Sequence, residues 1–313
     1  MCTTTENTAT KPMEENNRHD LSTPSKPPEY MSNVDFEALA DRCLKLLKQS
    51  QDGNHDASCG ECFNCHRQLF VGIAGTPGSG KSFIAEEVAK TISKRNLNGN
   101  SEEPECIVIG MDGYHLPRKD LKAMAEAGAT IQTEDDDGNP IEVTMTYEDL
   151  LARRGAPFTY NSAEFIQKLR EIKENGEGAM PVYDRDKHDP VPDGVRVEHH
   201  HKIILVEGLY LLCLNDEHWK ALGQLWDDSW YIDVSMKETK RRLVDRHLKY
   251  WTEEKTEAWG GDDEEAAARK AEANDMKNAR CIQRNSKDKA NLIVSNEKIL
   301  EDDDKNADVE AAE

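Results

Sequence analysis

The glycine-rich stretch GIAGTPGSGKS, residues 72–82, has residue types and spacing that could hold phosphate groups. It fits the pattern G-x-x-x-x-G-K-[ST] at every fixed position. In this pattern the backbone N–H groups face phosphate oxygens, the lysine reaches the β- and γ-phosphates, and the hydroxyl binds Mg²⁺. A glycine-rich turn with a chance lysine is the structural alternative. The predicted nucleotide-binding residues are Gly75, Thr76, Pro77, Gly78, Ser79, Gly80, Lys81, Ser82 and Phe83.

Two acids follow apolar stretches that are typical of strands. Asp112 ends CIVIGMD, which we expect to be the strand beside the glycine loop, where a carboxylate would accept a hydroxyl proton or hold Mg²⁺. Glu207 follows KIILV, the pattern of an acid that binds Mg²⁺ or its water. The structural alternatives are an Asp-Gly turn for Asp112 and a helix cap for Glu207.

A basic helix follows the stretch SWYIDVS. Arg242 and Arg246 are four residues apart in KRRLVDRHLK, so they share one helix face. In a chain this acidic, the run favours a helical lid whose arginines neutralise charge on a transferring phosphoryl group, and we count both among the catalytic residues with Asp112 and Lys81. A solvated helix face paired with Glu238 and Asp245 is the alternative.

Three cysteines with C-x-x-C-x-x-C spacing lie just before the glycine loop. Three thiolates and a histidine would complete a tetrahedral Zn²⁺ site. An exposed reduced loop is the other interpretation, because structural zinc sites usually draw on two separated ligand pairs. The candidate ligands are Cys59, Cys62, Cys65 and His66.

Composition excludes several classes of protein. The chain has 313 residues, 37% of them hydrophobic, with 61 Asp and Glu against 40 Lys and Arg. The resulting formal charge of −21 argues against a general nucleic-acid or anionic-membrane binder. No apolar run is long enough to span a bilayer, and the N-terminus resembles neither a signal nor a transit peptide. We therefore expect a cytoplasmic protein, with no particular oligomeric state indicated.

The elements that position these residues alternate between strands and helices from residue 68 onward. Such a pattern, with strands apolar on both faces, predicts an α/β fold of the P-loop NTPase type: a parallel sheet covered by helices on both faces, with a helical lid. Ligands of such sheets bind at the carboxyl ends of the strands. The expected segments are a disordered start (1–31), a helix from Ser32 or Asn33 with a Cys-rich linker (32–67), the catalytic domain (68–300) and an acidic disordered tail (301–313).

A phosphate-binding loop by itself does not name a reaction. A GTPase would need an N-K-x-D sequence, and the nearest match, NSKD at 285–288, has its lysine one place late. Six ordered motifs resemble the phosphoribulokinase/uridine kinase family of P-loop kinases, which includes the bacterial type of pantothenate kinase, and are most similar to its "DGFHL" branch. They cover about residues 68–295 and read GIAGTPGSGKS, MDGYHLPR, RRGAPFTYN, PVYDRDKHDPV, KIILVEGLYLL and NDMKNAR.

The resemblance implies ATP- and Mg²⁺-dependent transfer of phosphate to a hydroxyl of a small molecule, such as a nucleoside, a pantothenate-like compound or a sugar. It implies that Asp112 is the base for the acceptor hydroxyl, that Ser82 and Glu207 serve Mg²⁺, and that Arg242 and Arg246 contact ATP phosphates. The residues assigned to the acceptor are Tyr114, His115, Arg154, Tyr183, Asp184 and Arg185.

Departures from uridine kinases favour a different acceptor. Arg185 stands where those enzymes usually have an aromatic residue, and with His115, Arg154 and His188 it suits an acidic or phosphorylated acceptor. Structural hydrogen bonding is the alternative role for each. The rival function is a P-loop protein that binds ATP and partners without kinase activity.

Overall fold

The computed structural model describes residues 26–52, 68–95, 105–134 and 139–297. In these ranges, none of the helices combines the length and the apolar character needed to cross a membrane. The strands are β1 (Glu29–Met31), β2 (Leu69–Gly75), β3 (Cys106–Gly110), β4 (Thr130–Glu134), β5 (Pro140–Thr144), β6 (Gly178–Asp184), β7 (Asp189–Val197), β8 (Ile203–Gly208), β9 (Asp228–Asp233) and β10 (Leu292–Ser295). The α-helices are α1 (Phe36–Asp52), α2 (Lys81–Lys94), α3 (Arg118–Glu126), α4 (Tyr147–Ala152), α5 (Ser162–Asn175), α6 (Met236–Lys249), α7 (Glu253–Trp259), α8 (Glu264–Ala273) and α9 (Asp275–Ser286).

A six-stranded sheet forms the centre of the fold, in the order β1-β10-β9-β2-β8-β3. Every neighbouring pair is parallel, and β2 lies between β8 and β9. The predicted parallel sheet is therefore confirmed. The carboxyl ends of all six strands meet at one edge, where ligands of open α/β sheets bind.

Helices cover both faces of this sheet. All seven residues of β2 are buried, and successive side chains enter different cores. Phe70 shares a cluster with Phe165 of α5 and Ile282 of α9, whereas Val71 shares one with Ile84 of α2. Because side chains alternate along a strand, the apolar run of β2 serves two helical layers at once.

The basic helix α6 packs against the helices that follow it. Ser235 caps α6 by accepting a hydrogen bond from the backbone N–H of Glu238. Leu243 forms a small buried cluster with Ala271 of α8 and Met276 of α9. The helix thus belongs to a helical unit, and its role as a lid stays a prediction.

Two antiparallel hairpins, β4–β5 and β6–β7, extend from the main fold. Leu121, Ile131 and Leu150 pack α3 and α4 against the first hairpin. The second hairpin touches the 3₁₀ turn after β3: a Cβ atom on Gly113 would lie 2.0 Å from the carbonyl oxygen of Pro181. Only glycine fits at this position, which brings β6 against the turn that carries Asp112.

The structure differs from the sequence predictions at three places. Glu29–Met31, within the segment predicted to be disordered, form β1 and pair with β10. Asp35, rather than Ser32 or Asn33, accepts the capping bond at the start of α1, from the N–H of Ala38. β3 is not the neighbour of β2, because β8 lies between them. Sheet order depends on how helices pack over the strands, which local patterns do not specify.

A buried ion pair connects α1 to the sheet. Arg42 Nε donates to Oδ2 of Asp228 at 2.6 Å, and Trp230 Nε1 donates to the same oxygen at 2.8 Å. The Asp228 side chain is only 3% exposed. The nearby carboxylates of Asp228 and Glu29, led by the hydrogen bond to Asp228, raise the pKa of Arg42. Removing the guanidinium would leave a buried carboxylate without its counter-ion.

We expect Arg42→Met to lower the free energy of unfolding by about 3 kcal/mol, because breaking a buried pair leaves one charge uncompensated. Arg95→Met is the matched control, since Arg95 also pairs with α1, through the exposed carboxylates of Glu37 and Asp41. It should cost less than about 1 kcal/mol. Urea unfolding of both variants measures the difference, and equal losses would contradict the assignment.

Candidate active site

The glycine loop joins β2 to α2 at the carboxyl edge of the sheet. Gly78 and Gly80 adopt positive φ angles of 76° and 87°, which glycine allows at no steric cost. A Cβ atom on Gly80 would also lie 2.7 Å from Nδ2 of Asn296. Lys81 folds back over the loop, and its Nζ donates to the carbonyl oxygen of Thr76 at 3.1 Å. The lysine is thereby held across the anion-binding turn.

Lys81 and Glu207 carry opposite charges beside the loop and affect each other's pKa. Burial lowers the pKa of Lys81, and the charges of Glu207 and Asp112 oppose that shift. Burial raises the pKa of Glu207 to about 7, against the charge of Lys81 and a hydrogen bond from the Ser82 side chain. One lysine, one hydroxyl and two carboxylates therefore share a local electrostatic field at the ends of β2, β8 and β3.

Asp112 lies in the 3₁₀ turn Met111–Tyr114 and is exposed. Its Oδ1 accepts a hydrogen bond from the Tyr160 hydroxyl at 3.3 Å. His115 lies next to it, with Nδ1 2.8 Å from the Asp112 carbonyl oxygen and its ring 4.1 Å from the Tyr160 ring and 4.9 Å from that of Tyr183. Burial lowers the pKa of His115. An accessible carboxylate thus borders a wall of aromatic rings.

Arg154 adds a cation to this wall. Its guanidinium carbon lies 5.6 Å from the centroid of the Tyr183 ring, and Nη2 donates to Oδ1 of Asp189 at 3.1 Å. Its Nε and Nη1 atoms are buried and have no hydrogen-bond partner within the described ranges. A buried donor without a partner costs free energy, so these atoms are suited to a ligand that accepts hydrogen bonds.

The two arginines of α6 have different environments. Arg242 is 5% exposed and donates to the carbonyl oxygens of Gly78 at 3.3 Å and Asn296 at 2.6 Å, as well as to Glu238 at 2.8 Å. Hydrogen bonding by Arg241, with a smaller contribution from Arg242, lowers the pKa of Glu238 to about 2. Through the contact with Gly78, Arg242 connects α6 to the glycine loop. Its direct contact with phosphate stays a prediction.

Arg246 lies one turn further along α6 and is more accessible. Its side chain is 47% exposed, and Nη2 lies 3.7 Å from Oδ1 of Asp275. Asp275 also receives a 2.7 Å hydrogen bond from Nε2 of His247. Burial lowers the pKa of Lys81, and the charge of Arg246 adds to that shift. The contact of Arg246 with ATP phosphates stays a prediction.

Comparison with known proteins assigns the chain to a family. No family model matches it, but individual proteins do. It is 36% identical to the ATP-dependent kinase-like protein notR′ of Aspergillus versicolor over 143 residues, which cover 44% of this chain and 71% of that protein. The chain belongs to the phosphoribulokinase/uridine kinase family of P-loop kinases. It is also 29% identical to a candidate uridine kinase of Schizosaccharomyces pombe, over 68% of this chain and 74% of that protein.

A solved structure with low sequence identity shows the same fold. YFH7 from Saccharomyces cerevisiae superposes with a TM-score of 0.59 at 18% identity, over 85% of this chain and 99% of that one. At this level of identity the likeness concerns architecture. The central parallel sheet of the P-loop kinases is therefore shared, while the acceptor must be argued from the side chains of this chain.

In this P-loop kinase, several residues predicted from sequence lie in unexpected surroundings. Tyr114 is 3% exposed and packs in the core, with its ring 5.0 Å from that of Phe165, so its contact with the acceptor stays a prediction. The Oδ1 atom of Asp184 accepts hydrogen bonds from two N–H groups of the β6–β7 turn, which lower its pKa together with the Lys187 side chain. Arg185 is exposed on the same turn. The acceptor roles of Asp184 and Arg185 stay predictions, and the ring contacts and the cation described above involve His115, Arg154 and Tyr183.

Phe83 is also placed differently from the other residues of the P-loop kinase motif. It is 39% exposed and meets Phe36 of α1 edge-to-face, with centroids 6.0 Å apart. Its predicted contact with nucleotide stays a prediction. The contact with Phe36 accounts for an apolar residue at this exposed position.

Two residues of the P-loop kinase site escaped the sequence prediction. Asn296 donates from Nδ2 to the Ser79 carbonyl oxygen at 2.8 Å, and its Oδ1 is buried without a partner in the described segments. It directly follows β10, so the rule that ligands bind at strand ends could have identified it. Tyr160, the partner of Asp112, lies in the motif RRGAPFTYN, but an aromatic residue in a loop carries no signal of its own.

The family implies ATP and Mg²⁺, and the oxygen donors present fit that ion. The Ser82 hydroxyl and the Glu207 carboxylate are hard ligands of the kind Mg²⁺ prefers. Burial raises the pKa of Glu207, and a cation beside the carboxylate would stabilise its charged form. Within the described ranges, there is no cluster of three or more His, Cys, Asp or Glu that could hold a metal ion. Cys59, Cys62, Cys65 and His66 lie outside those ranges, so the zinc site stays a prediction.

Proposed function

We propose that this protein transfers the γ-phosphate of ATP to a hydroxyl group of a small molecule, with Asp112 as the base. The observation that carries the proposal is the position of three residues at one edge of the sheet: Lys81 at the start of α2, Glu207 near the carboxyl end of β8 and Asp112 in the turn after β3. A decayed P-loop protein that only binds ATP would have no requirement for an accessible carboxylate there. The intact set favours the enzyme.

Each of these residues has one of the roles that phosphoryl transfer requires. The glycine loop and Lys81 hold the phosphates of ATP, and Mg²⁺, held by Ser82 and Glu207, would neutralise charge on them. Asp112 takes the proton of the acceptor hydroxyl. The hydroxyl oxygen bonds to the γ-phosphorus while the bond between that phosphorus and the ADP oxygen breaks. Positioning and electrostatic stabilisation supply most of the catalysis in this chemistry.

The acceptor lies against the aromatic wall beside Asp112. His115 and Tyr183 offer ring surfaces, and the unpartnered donors of Arg154 suit oxygen atoms of the acceptor. This surface has both apolar and cationic character. It favours an acceptor whose hydroxyl is attached to a carbon skeleton that carries further oxygen atoms.

We expect Arg242→Gln and Arg246→Gln to impair the enzyme in different ways. Arg242→Gln removes buried hydrogen bonds to the glycine loop, so both the melting temperature and the ATP affinity should fall. Arg246→Gln should keep the melting temperature and lower kcat by about tenfold, because an exposed cation contributes less than a buried oxyanion donor. Calorimetry, ATP titration and kinetics on both variants separate the roles, and the same profile for both would refute the division.

The proposed function is tested by ATP consumption with a panel of alcohols. The panel contains pantothenate, nucleosides, sugars and sugar phosphates, each at millimolar concentration with Mg²⁺. ADP formation that depends on one class of alcohol, and a phosphorylated product of matching mass, are the expected result. ATP binding without phosphorylation of any panel member would favour the non-catalytic alternative.

A further inference from the structure

Asn296 lies directly after β10, at the carboxyl edge of the sheet and against the glycine loop. It is 2% exposed, although asparagine is a polar residue that is seldom fully buried. Its side-chain Nδ2 donates to the carbonyl oxygen of Ser79 at 2.8 Å. A buried amide therefore makes a direct contact with the backbone that binds phosphate in the proposed function.

Three hydrogen bonds fix the position of Asn296. Its backbone N–H donates to the carbonyl oxygen of Asp233 at 2.9 Å, which extends the pairing of β10 with β9. Its own carbonyl oxygen accepts from Nη2 of the buried Arg242 at 2.6 Å. The third bond is the contact of Nδ2 with Ser79. Because the sheet and α6 hold the backbone, the side-chain amide is a fixed donor to the glycine loop.

The orientation of the Asn296 amide is defined by its surroundings. If the amide were turned over, Oδ1 would face the Ser79 carbonyl oxygen, and two acceptors would be in contact. In the orientation present, Oδ1 is buried and has no hydrogen-bond partner among the described residues. A buried acceptor without a partner costs free energy. An apolar side chain of the same size would avoid this cost, so stability alone does not account for the amide.

The hydrogen bond from Asn296 determines where the next N–H group of the glycine loop points. The peptide between Ser79 and Gly80 is trans, since the described residues contain no cis peptide bond. In a planar trans peptide the C=O and N–H groups point in opposite directions. The bond to the Ser79 carbonyl therefore directs the Gly80 N–H away from Asn296. Within the described ranges, this N–H has no hydrogen-bond partner.

The Gly80 N–H lies beside the N–H groups of the first turn of α2, because Gly80 is the N-cap residue of that helix. The first N–H groups of an α-helix have no partner inside the helix, and together with the helix dipole they attract anions. We propose that Asn296 is a positioning residue for the phosphates of ATP, which keeps the Gly80 N–H directed at them by holding the Ser79 carbonyl. This role rests on the proposed function for ATP binding at the glycine loop but not for phosphate transfer.

Calorimetric titration of the full chain with MgATP tests this role without any acceptor. Asn296→Leu keeps the size of the side chain but cannot donate, so we expect it to raise the Kd by about tenfold or more, as the loss of a hydrogen bond that orients a phosphate donor predicts. The matched control is Asn291→Leu. Asn291 directly precedes β10, and its Oδ1 accepts from the Ser229 hydroxyl at 2.7 Å, so the control removes a side-chain hydrogen bond at the other end of the strand. Its Kd should equal that of the parent. An unchanged Kd for Asn296→Leu, with or without a lower melting temperature, would overturn the proposal.

The direction of the Gly80 N–H is measured by NMR on protein that contains ¹⁵N-labelled glycine, free and saturated with MgATP. In the parent, a hydrogen bond to phosphate should move the Gly80 proton signal downfield. In Asn296→Leu at saturation, this movement should be clearly smaller. A movement as large as in the parent would overturn the proposal, because the amide would then affect ATP binding by another route.

A second pair of variants covers the case in which leucine prevents folding. Asn296→Ser and Asn296→Ala are close in size, but only serine keeps a donor for the Ser79 carbonyl. We expect MgATP to bind Asn296→Ser about threefold or more tightly than Asn296→Ala, as a partly recovered hydrogen bond predicts. Equal affinities would contradict the positioning role.

Failure of the proposed function would give a different result. If no alcohol is phosphorylated but MgATP binding and the Gly80 signal depend on Asn296, the transfer function fails and Asn296 keeps its role. If an alcohol is phosphorylated and Asn296→Leu binds MgATP as the parent does, the kinase function stands and the positioning role is refuted.

Discussion

Lys81→Ala should lower ATP turnover by about 10²–10³-fold and leave the fold intact. The side chain is 8% exposed, and its ammonium group bonds only to the Thr76 carbonyl oxygen among the contacts the structure describes. The lost cation is one that would stabilise charge on the transferring phosphoryl group, and removal of a single such donor typically has an effect of this size. Kinetics with the best acceptor of the panel, together with circular dichroism and melting, measure it.

Lys90→Ala is the control for this variant, because Lys90 lies on the same helix with its side chain 60% exposed. Lys90→Ala makes the same change in helix composition and net charge as Lys81→Ala, but Lys90 does not lie at the glycine loop. We expect normal turnover from it. A folded Lys81→Ala protein with normal turnover would remove the glycine loop from the mechanism.

Asp112→Asn should lower kcat by about two decades or more while ATP affinity stays within a few-fold of the parent. A hydroxyl is a poor nucleophile at neutral pH, and a carboxylate that takes its proton contributes about 10²–10⁴-fold, on the order of 3 to 5 kcal/mol. Asparagine keeps the size and polarity but cannot accept that proton. ATP titration and kcat on the one variant measure the two quantities.

Tyr160→Phe separates this role from a structural one. It removes the hydrogen bond to Asp112 at 3.3 Å but keeps the carboxylate. If the carboxylate serves as a base, Tyr160→Phe should cost far less in kcat than Asp112→Asn. If Asp112 only stabilises its turn, both variants should lose some melting temperature and keep their rate. A normal kcat for Asp112→Asn with any identified acceptor would reject the base assignment.

Structural features that depend on consecutive residues were predictable from the sequence. The glycine loop, Lys81 and Ser82 are defined by spacing over eight positions, and the left-handed φ angles of Gly78 and Gly80 are the conformations that such glycines allow. The buried strands β2, β8 and β9 were likewise evident as apolar runs. Local sequence was sufficient here because a strand, a turn and a helix start each depend on near neighbours.

The acceptor site depended on tertiary structure. The sequence analysis assigned Tyr114 to the acceptor site. In the structure, the turn after β3 directs the Tyr114 ring into the core against Phe165, and the hydroxyl of Tyr160 donates to Asp112. Arg242 and Arg246 share a helix face in sequence, yet packing of α6 on the glycine loop buries only Arg242. Neighbours along the chain do not reveal which side of a turn or helix meets another element.

By itself, the sequence determined that this chain has a P-loop, a parallel sheet and acids at strand ends, because those patterns repeat at the periods of strands and helices. Only the tertiary structure decided that β8 separates β2 from β3, and that Arg153 and Arg284, which are 131 positions apart, line one pocket. The physical reason is that the order of strands and the content of a cavity follow from how apolar faces pack together over long sequence distances.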